Sequence, residues 1–364
     1  MESNLVILRF LAFSIALAVS SSVAIAASAL NSPFDVESAR AAHGAAAGSH
    51  HCKAPPKPQR DLEFAGVYKR GTNSSVVDKQ SANAYRMARK TVDDFKKSII
   101  RTSDLYVASK PAQGELAACV LTWLDTWAKA GAMLGSVSQQ GSYVRKWALG
   151  TVSMAYLKVR VAKGLDAAKK KRVVAWIRDW AAIVREDYST GMERGSRNNN
   201  HSYWAGWSVL AAGIVLNDRS HFDWAQERYR NGLAQLEDDG TLPLEMDRRK
   251  RALHYHLFSI PPLVMIAETA AHNGVDLYGS LDGAIHRLIR RTLSGIDDPS
   301  YFAKKSGYKQ AWGGKFNASK MAWGAVYQAR FPTPALKRLL DRFGRIYDTR
   351  LGGNMAVLFA PRAN

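Results

Sequence analysis

Beyond its first two dozen residues this chain has no apolar run long enough to cross a bilayer, so it is not built from several membrane-spanning helices. Sustained apolar–polar alternation of the strand type is also missing, which argues against a sheet-based core. No strict internal repeat is visible. Acidic residues are scarce, 31 Asp and Glu against 51 Lys and Arg, for a formal charge of +20. That balance favours a polyanionic partner: nucleic acid, an anionic membrane or an acidic glycan. Cysteine is nearly absent, Cys52 and Cys119 being the whole complement. His50-His51-Cys52 has the look of a metal cluster, but adjacent side chains rarely point at one ion and no second ligand group follows at a usable spacing. These are read as incidental histidines, and neither a metal nor another cofactor is expected.

The N-terminal residues choose among the partners. Arg9 precedes an apolar stretch from Phe10 to Val19, and Ala24-Ile25-Ala26 fits the small-x-small cleavage rule. Residues 1–26 therefore read as a secretory signal, the alternative being an uncleaved anchor. Export makes nucleic acid an unsuitable partner, and cleavage leaves no membrane association. In an oxidising compartment the even cysteine pair reads as one disulfide, Cys52–Cys119, tying the N-terminal segment to the body; the alternative is two independent thiols. Residues 27–60, rich in Ala, Ser, His, Gly and Pro, are expected to be an extended linker or strap. Residues 61–364 form the main domain.

What is present is helical periodicity. Leu116, Val120, Trp123, Trp127, Ala130 and Leu134 recur at three- and four-residue steps, as do Val173, Trp176 and Trp180, and Trp204, Trp207, Ala211 and Ile214. Pro261-Pro262 is expected to open a further helix, because proline suits the first turn. The fold class is all-α, in successive antiparallel helix pairs. Most of the ten tryptophans fall on helix faces and belong to the core, although a few lining a cleft would stack on sugars.

Two stretches carry chemistry. Asn198-Asn199-Asn200-His201-Ser202-Tyr203-Trp204 puts amides and an imidazole at a helix start, where unpaired N–H groups favour negative charge. Arg248-Arg249-Lys250-Arg251-Ala252-Leu253-His254-Tyr255-His256 adds a guanidinium and a phenol. Arg248 and Tyr255, seven residues apart, share a face if they sit on one helix, with Arg249 and Arg251 pointing elsewhere. In a polyuronate the C5 proton lies α to a carboxylate while the C4 oxygen leaves. Elimination needs a neutraliser for that carboxylate, a base and an acid. Asn200 and Arg248 suit the first role; His201 suits the base or an added cation; Tyr255 suits the acid, and also the base if Arg248 lowers its pKa. The plainer alternatives are a solvated basic face for Arg248–Arg251 and a packed aromatic for Tyr255. His254 and His256 would ligate metal only in an extended segment. Tyr68-Lys69-Arg70-Gly71-Thr72-Asn73-Ser74-Ser75 reads either as a lid over an anionic ligand or as an ordinary solvated loop.

The run Asn199-Asn200-His201-Ser202-Tyr203-Trp204 resembles the signature of the periplasmic alginate lyases of polysaccharide lyase family 5. Further similar stretches are Ala118-Cys119-Val120-Leu121-Thr122-Trp123, Arg145-Lys146-Trp147-Ala148-Leu149-Gly150, Arg248 to His256 leading to Pro261-Pro262-Leu263, and Arg350-Leu351-Gly352-Gly353. The resemblance covers nearly all of the mature chain. It implies an incomplete (α/α) toroid of antiparallel helix hairpins with a deep cleft and a lid loop, and metal-independent β-elimination of mannuronate-rich alginate in the periplasm by a monomer. It implies Asn200, His201, Arg248 and Tyr255 as the catalytic set. Substrate contacts are expected at Tyr68, Lys69, Arg145, Trp147, Trp204 and Arg350. The segment 304–320 departs from the alginate lyases, with Trp312-Gly313-Gly314 in place of an acidic stretch. The alternatives are therefore a lyase preferring polyglucuronate or another uronate, or a non-catalytic protein that binds acidic glycans.

Overall fold

Asn199 starts one of the central helices: its side chain accepts a hydrogen bond from His201 N at 3.0 Å, satisfying a donor that the first turn leaves unpaired. In the computed structural model of the protein, residues 29–46, 48, 51–189, 198–311 and 317–359 are described. The signal-like segment 1–26, His50 and Trp312-Gly313-Gly314 lie outside them. The elements are α1 Val36–His43, α2 Lys79–Ala88, α3 Lys90–Ala108, α4 Gly114–Lys129, α5 Gln139–Val159, α6 Ala167–Ser189, α7 Asn200–Leu216 and α8 Arg219–Leu233. There follow α9 Pro243–Met246, α10 Ala252–Ala271, α11 Ser280–Asp297, α12 Ser300–Ser306, α13 Ala322–Arg330 and α14 Pro334–Leu340. A two-residue antiparallel pair, β1 Tyr347–Asp348 with β2 Gly353–Asn354, and a last turn, α15 Met355–Leu358, complete the described fold.

Helices α3, α5, α7 and α10 pack side by side in chain order. Helices α4, α6, α8 and α11 lie outside them, each against one or two of the inner helices. This alternation is an incomplete (α/α) toroid. The inner helices α5 and α7 are buried on nearly every side, as expected for helices enclosed by others.

Two expectations need correction. The segment 27–60 is not wholly extended, because Asp35 caps α1 by accepting from Ser38 N, and Leu30, Phe34, Val36 and Ala39 are buried. Only its later part is a strap, held by Trp123 Nε1 on the Lys53 carbonyl (2.6 Å), Trp127 Nε1 on the Pro56 carbonyl (2.9 Å) and the Cys52–Cys119 disulfide. Pro261 and Pro262 do not open a helix; they lie inside α10. Proline lacks the N–H that would bond four residues back, so Pro262 frees the carbonyl of Phe258. Trp204 Nε1 from α7 takes that carbonyl at 3.0 Å. The helix continues because a neighbouring indole replaces the missing donor.

Candidate active site

The N-terminal ends of all four inner helices meet at one cleft of about 1070 Å³. Arg89, Lys96 and Lys97 come from the start of α3, Tyr143 and Trp147 from α5, Asn199 and His201 from α7, and His254, Tyr255 and Phe258 from α10. Converging helix N-termini add partial positive charge to a wall that already holds cations, so the cleft suits an anion.

The hairpin formed by the bridge between Tyr68 and Val77 covers one side. Tyr68, Asn73 and Ser74 line the cleft, in agreement with the lid reading, whereas Lys69 is not among the lining residues. Tyr68 Oη lies 2.8 Å from Tyr255 Oη and accepts from Arg251 Nη1 at 2.8 Å.

Arg248 precedes the helix that carries Tyr255, so the two do not share a helical face as expected; a turn with Arg249 at φ +55° joins them. They meet nonetheless, the Arg248 guanidinium lying 4.7 Å from the centre of the Tyr255 ring. Arg251 does not point away either: it lies 5.3 Å from that ring as well as bonding Tyr68. Burial pushes the Tyr255 phenol well above its ordinary pKa, Tyr68 reinforces this, and Arg251 and Arg248 oppose it without prevailing. The expectation that Arg248 lowers this pKa fails on magnitude, because desolvation is the larger effect.

Asn200 is fully buried and does not line the cleft. Its backbone N–H and Nδ2 both donate to Glu245 Oε1, at 2.8 and 2.9 Å. Glu245 Oε2 lies 3.8 Å from Arg248 Nε. Burial raises the Glu245 carboxyl, while Arg248 and Asn200 pull it down. Asn200 in this geometry therefore holds the carboxylate that anchors Arg248, and its donors are not offered to a ligand. Its neighbour Asn199, the helix cap, lines the cleft instead.

His201 lines the cleft with its ring stacked on Tyr143, centroids 3.8 Å apart and planes 13° apart. Its Nδ1 lies 2.8 Å from Nζ of the buried Lys146, which also donates to the Tyr188 hydroxyl at 2.6 Å. Trp147 lines the cleft, while its Nε1 is buried without a hydrogen-bond partner. Arg350 lines it too, paired with Asp348 through Nη2 at 2.6 Å. Burial would raise Asp348, but Arg350 holds it below the usual carboxylate range.

Two expected substrate contacts lie elsewhere. Arg145 is buried against Asp187 of α6 at 2.7 Å, and Trp204 is core, its indole engaged by Phe258. His256 is structural: Nε2 accepts from Leu242 N at 2.9 Å, Nδ1 lies 2.9 Å from the Ala252 carbonyl, and burial lowers its pKa to about 4. His254 lines the cleft, and burial with help from Arg251, Lys320 and Arg350 lowers its pKa to about 3, so it is a neutral imidazole among cations.

Residues that sequence reasoning missed include Lys96, Tyr143, Lys146, Asn199 and His254. Helical phase was the available signal for Tyr143, Lys146 and Trp147, whose three- and four-residue spacing sets them on one face and turns Arg145 outward. Burial lowers the pKa of Lys96, partly offset by Asp93 at 3.1 Å.

The sequence model described as alginate lyase matches residues 66–302. An alginate lyase of Azotobacter vinelandii is 35% identical over 320 residues, covering 85% of this chain and 84% of that protein. An alginate lyase of Pseudomonas putida strain W619 is 34% identical over 330 residues, 87% of each chain. Among solved structures, alginate lyase A1-III from Sphingomonas species A1 superposes with a TM-score of 0.77 at 27% identity, covering 91% of this chain and 97% of that one. A complex of the same lyase with a tetrasaccharide gives 0.78 at 26% identity, covering 92% and 97%.

Proposed function

Because the chain belongs to the alginate lyase family and is a polysaccharide lyase, we propose that it cleaves mannuronate-rich alginate by metal-independent β-elimination. We propose further that it works as a monomer in the periplasm after export. The observation that carries the reading is the cleft itself, where Tyr255, His201 and Arg248 come from separate segments to line one cationic space. In the reaction the C5–H bond breaks and its electron pair forms the C4=C5 double bond. The C4–O bond breaks, and the glycosidic oxygen takes a proton.

Arg248 supplies a permanent planar charge for the uronate carboxylate, and Asn199 and His201 supply neighbouring polar groups. These donors do the work a metal would do in polarising the carboxylate, which supports metal independence. Tyr255, held as a phenol by burial, is the proton source for the departing oxygen. Which ring nitrogen of His201 carries hydrogen decides whether it accepts or donates toward the sugar. The Cys52–Cys119 disulfide supports an oxidising compartment.

The test is incubation with polymannuronate, polyguluronate and polyglucuronate, with and without a chelator, following the ultraviolet absorbance of the unsaturated product. Fastest turnover on polymannuronate, unchanged by the chelator, is the expected result. Preference for polyglucuronate, or loss of activity on chelation, overturns the corresponding part of the proposal.

A further inference from the structure

Lys146 has no exposed surface, yet its ammonium sits directly behind a cleft-lining imidazole. Its Nζ lies 4.5, 5.3 and 4.5 Å from the ring centres of Tyr143, Trp147 and Tyr188. Aromatic faces at such distances stabilise a cation. An ammonium has three donors and no acceptor. With Lys146 charged, His201 Nδ1 at 2.8 Å is the acceptor, and a neutral imidazole that accepts at Nδ1 carries its hydrogen at Nε2. The Tyr143 ring stacked on His201 fixes the plane in which that choice is expressed.

We propose that Lys146 is a positioning residue that locks His201 in the Nε2–H tautomer, so that His201 offers the cleft a hydrogen-bond donor and not a base. This deepens the lyase reading and rests on it. His201 then joins Arg248 as a ligand for the uronate carboxylate. Both proton transfers fall to Tyr255: its phenolate takes the C5 proton as the C4=C5 bond forms, and the phenol so made returns that proton to the glycosidic oxygen as the C4–O bond breaks. Burial keeps Tyr255 a phenol at rest, so its phenolate is the scarce form. Tyr143 and Lys146 of α5 contact His201 and Tyr188 of α6 bonds Lys146, while Asp247, Arg248 and Tyr255 are among the titratable and charged groups that line the same cleft. A Lys146 ammonium 2.8 Å from the ring repels a second positive charge there.

The experiment is nitrogen NMR of the full chain labelled with 15N-histidine, with His201→Gln used to assign the signal. The expected wild-type signal is the Nε2–H tautomer at neutral pH. Lys146→Met should lose that bias, protonate His201 at higher pH and lower kcat at least tenfold with a smaller change in KM; Lys146→Arg should restore part of each. An Nδ1–H tautomer in the wild-type protein overturns the proposal, even if Lys146→Met fails to fold. So does a Lys146→Met protein with unchanged tautomer and pH profile. Absence of lyase activity on every uronate would instead sink the catalytic reading and leave the NMR result to stand on its own.

Discussion

The hydroxyl of Tyr68, on the hairpin over the cleft, lies 2.8 Å from the hydroxyl of Tyr255 at its floor. Closure of the cleft and the state of the reacting phenol are therefore physically connected. Removing the Tyr68 hydroxyl in Tyr68→Phe deletes two hydrogen bonds, the neutral one with Tyr255, worth about 0.5–1.5 kcal/mol, and the charge-assisted one accepted from Arg251, worth about 1.5–3 kcal/mol. The expected loss in kcat/KM is at least about 2-fold, the floor set by the neutral bond alone, with the fold intact by circular dichroism. Unchanged kinetics would show that the contact has no part in turnover.

Trp204 separates a sugar-stacking role from a structural one. Its indole satisfies the carbonyl that Pro262 leaves free. Trp204→Phe keeps the aromatic bulk but leaves that carbonyl unpaired, at a cost of about 1–3 kcal/mol of stability. Denaturant unfolding should report that loss while KM changes little. A large rise in KM with unchanged stability would return Trp204 to the substrate-binding set.

The disulfide links residues 67 apart in sequence, and neither cysteine lines the cleft. In the chain-entropy account, closing a loop of that length stabilises the fold by about 4 kcal/mol, and strain commonly reduces the yield. Cys52→Ser should cost roughly 2–4 kcal/mol in unfolding experiments with kcat nearly unchanged. Wild-type stability in the variant would mean that the tryptophan contacts alone hold the strap.

Alkaline pH should destabilise the fold. Burial raises the phenols of Tyr203, Tyr229, Tyr255 and Tyr278 above their ordinary pKa. Unfolded tyrosines ionise near about 10, so above that pH the folded state binds more protons than the unfolded one and stability falls as pH rises. These groups favour the folded state fully below about pH 10. These phenols leave Tm unchanged from about pH 8 to 10 and lower it beyond; a Tm that holds or climbs between about pH 10 and 11 contradicts this.

The helical architecture was legible because apolar residues recur at three- and four-residue steps, a property of each helix by itself. The site was legible only as a neighbourhood. Asn199 and Asn200 are chemically alike, and only the cap geometry shows that one faces the cleft while the other turns to Glu245. Pro261-Pro262 looked like a helix start because the donor that lets α10 run through them comes from Trp204, more than fifty residues earlier. Arg251 was expected to point away because a regular helix was assumed through a stretch that is a turn. Lys146 stands beside Arg145 in sequence, and its partnership with His201 and Tyr188 is a matter of how three helices pack.

The most direct test is turnover of polymannuronate by Tyr255→Phe. The substitution removes the one hydroxyl assigned to proton transfer and leaves the cleft its cations. The expected result is no unsaturated product by ultraviolet absorbance, with the polymer still bound and the helical fold unchanged. Near-wild-type formation of unsaturated product would contradict the assignment of elimination to this phenol.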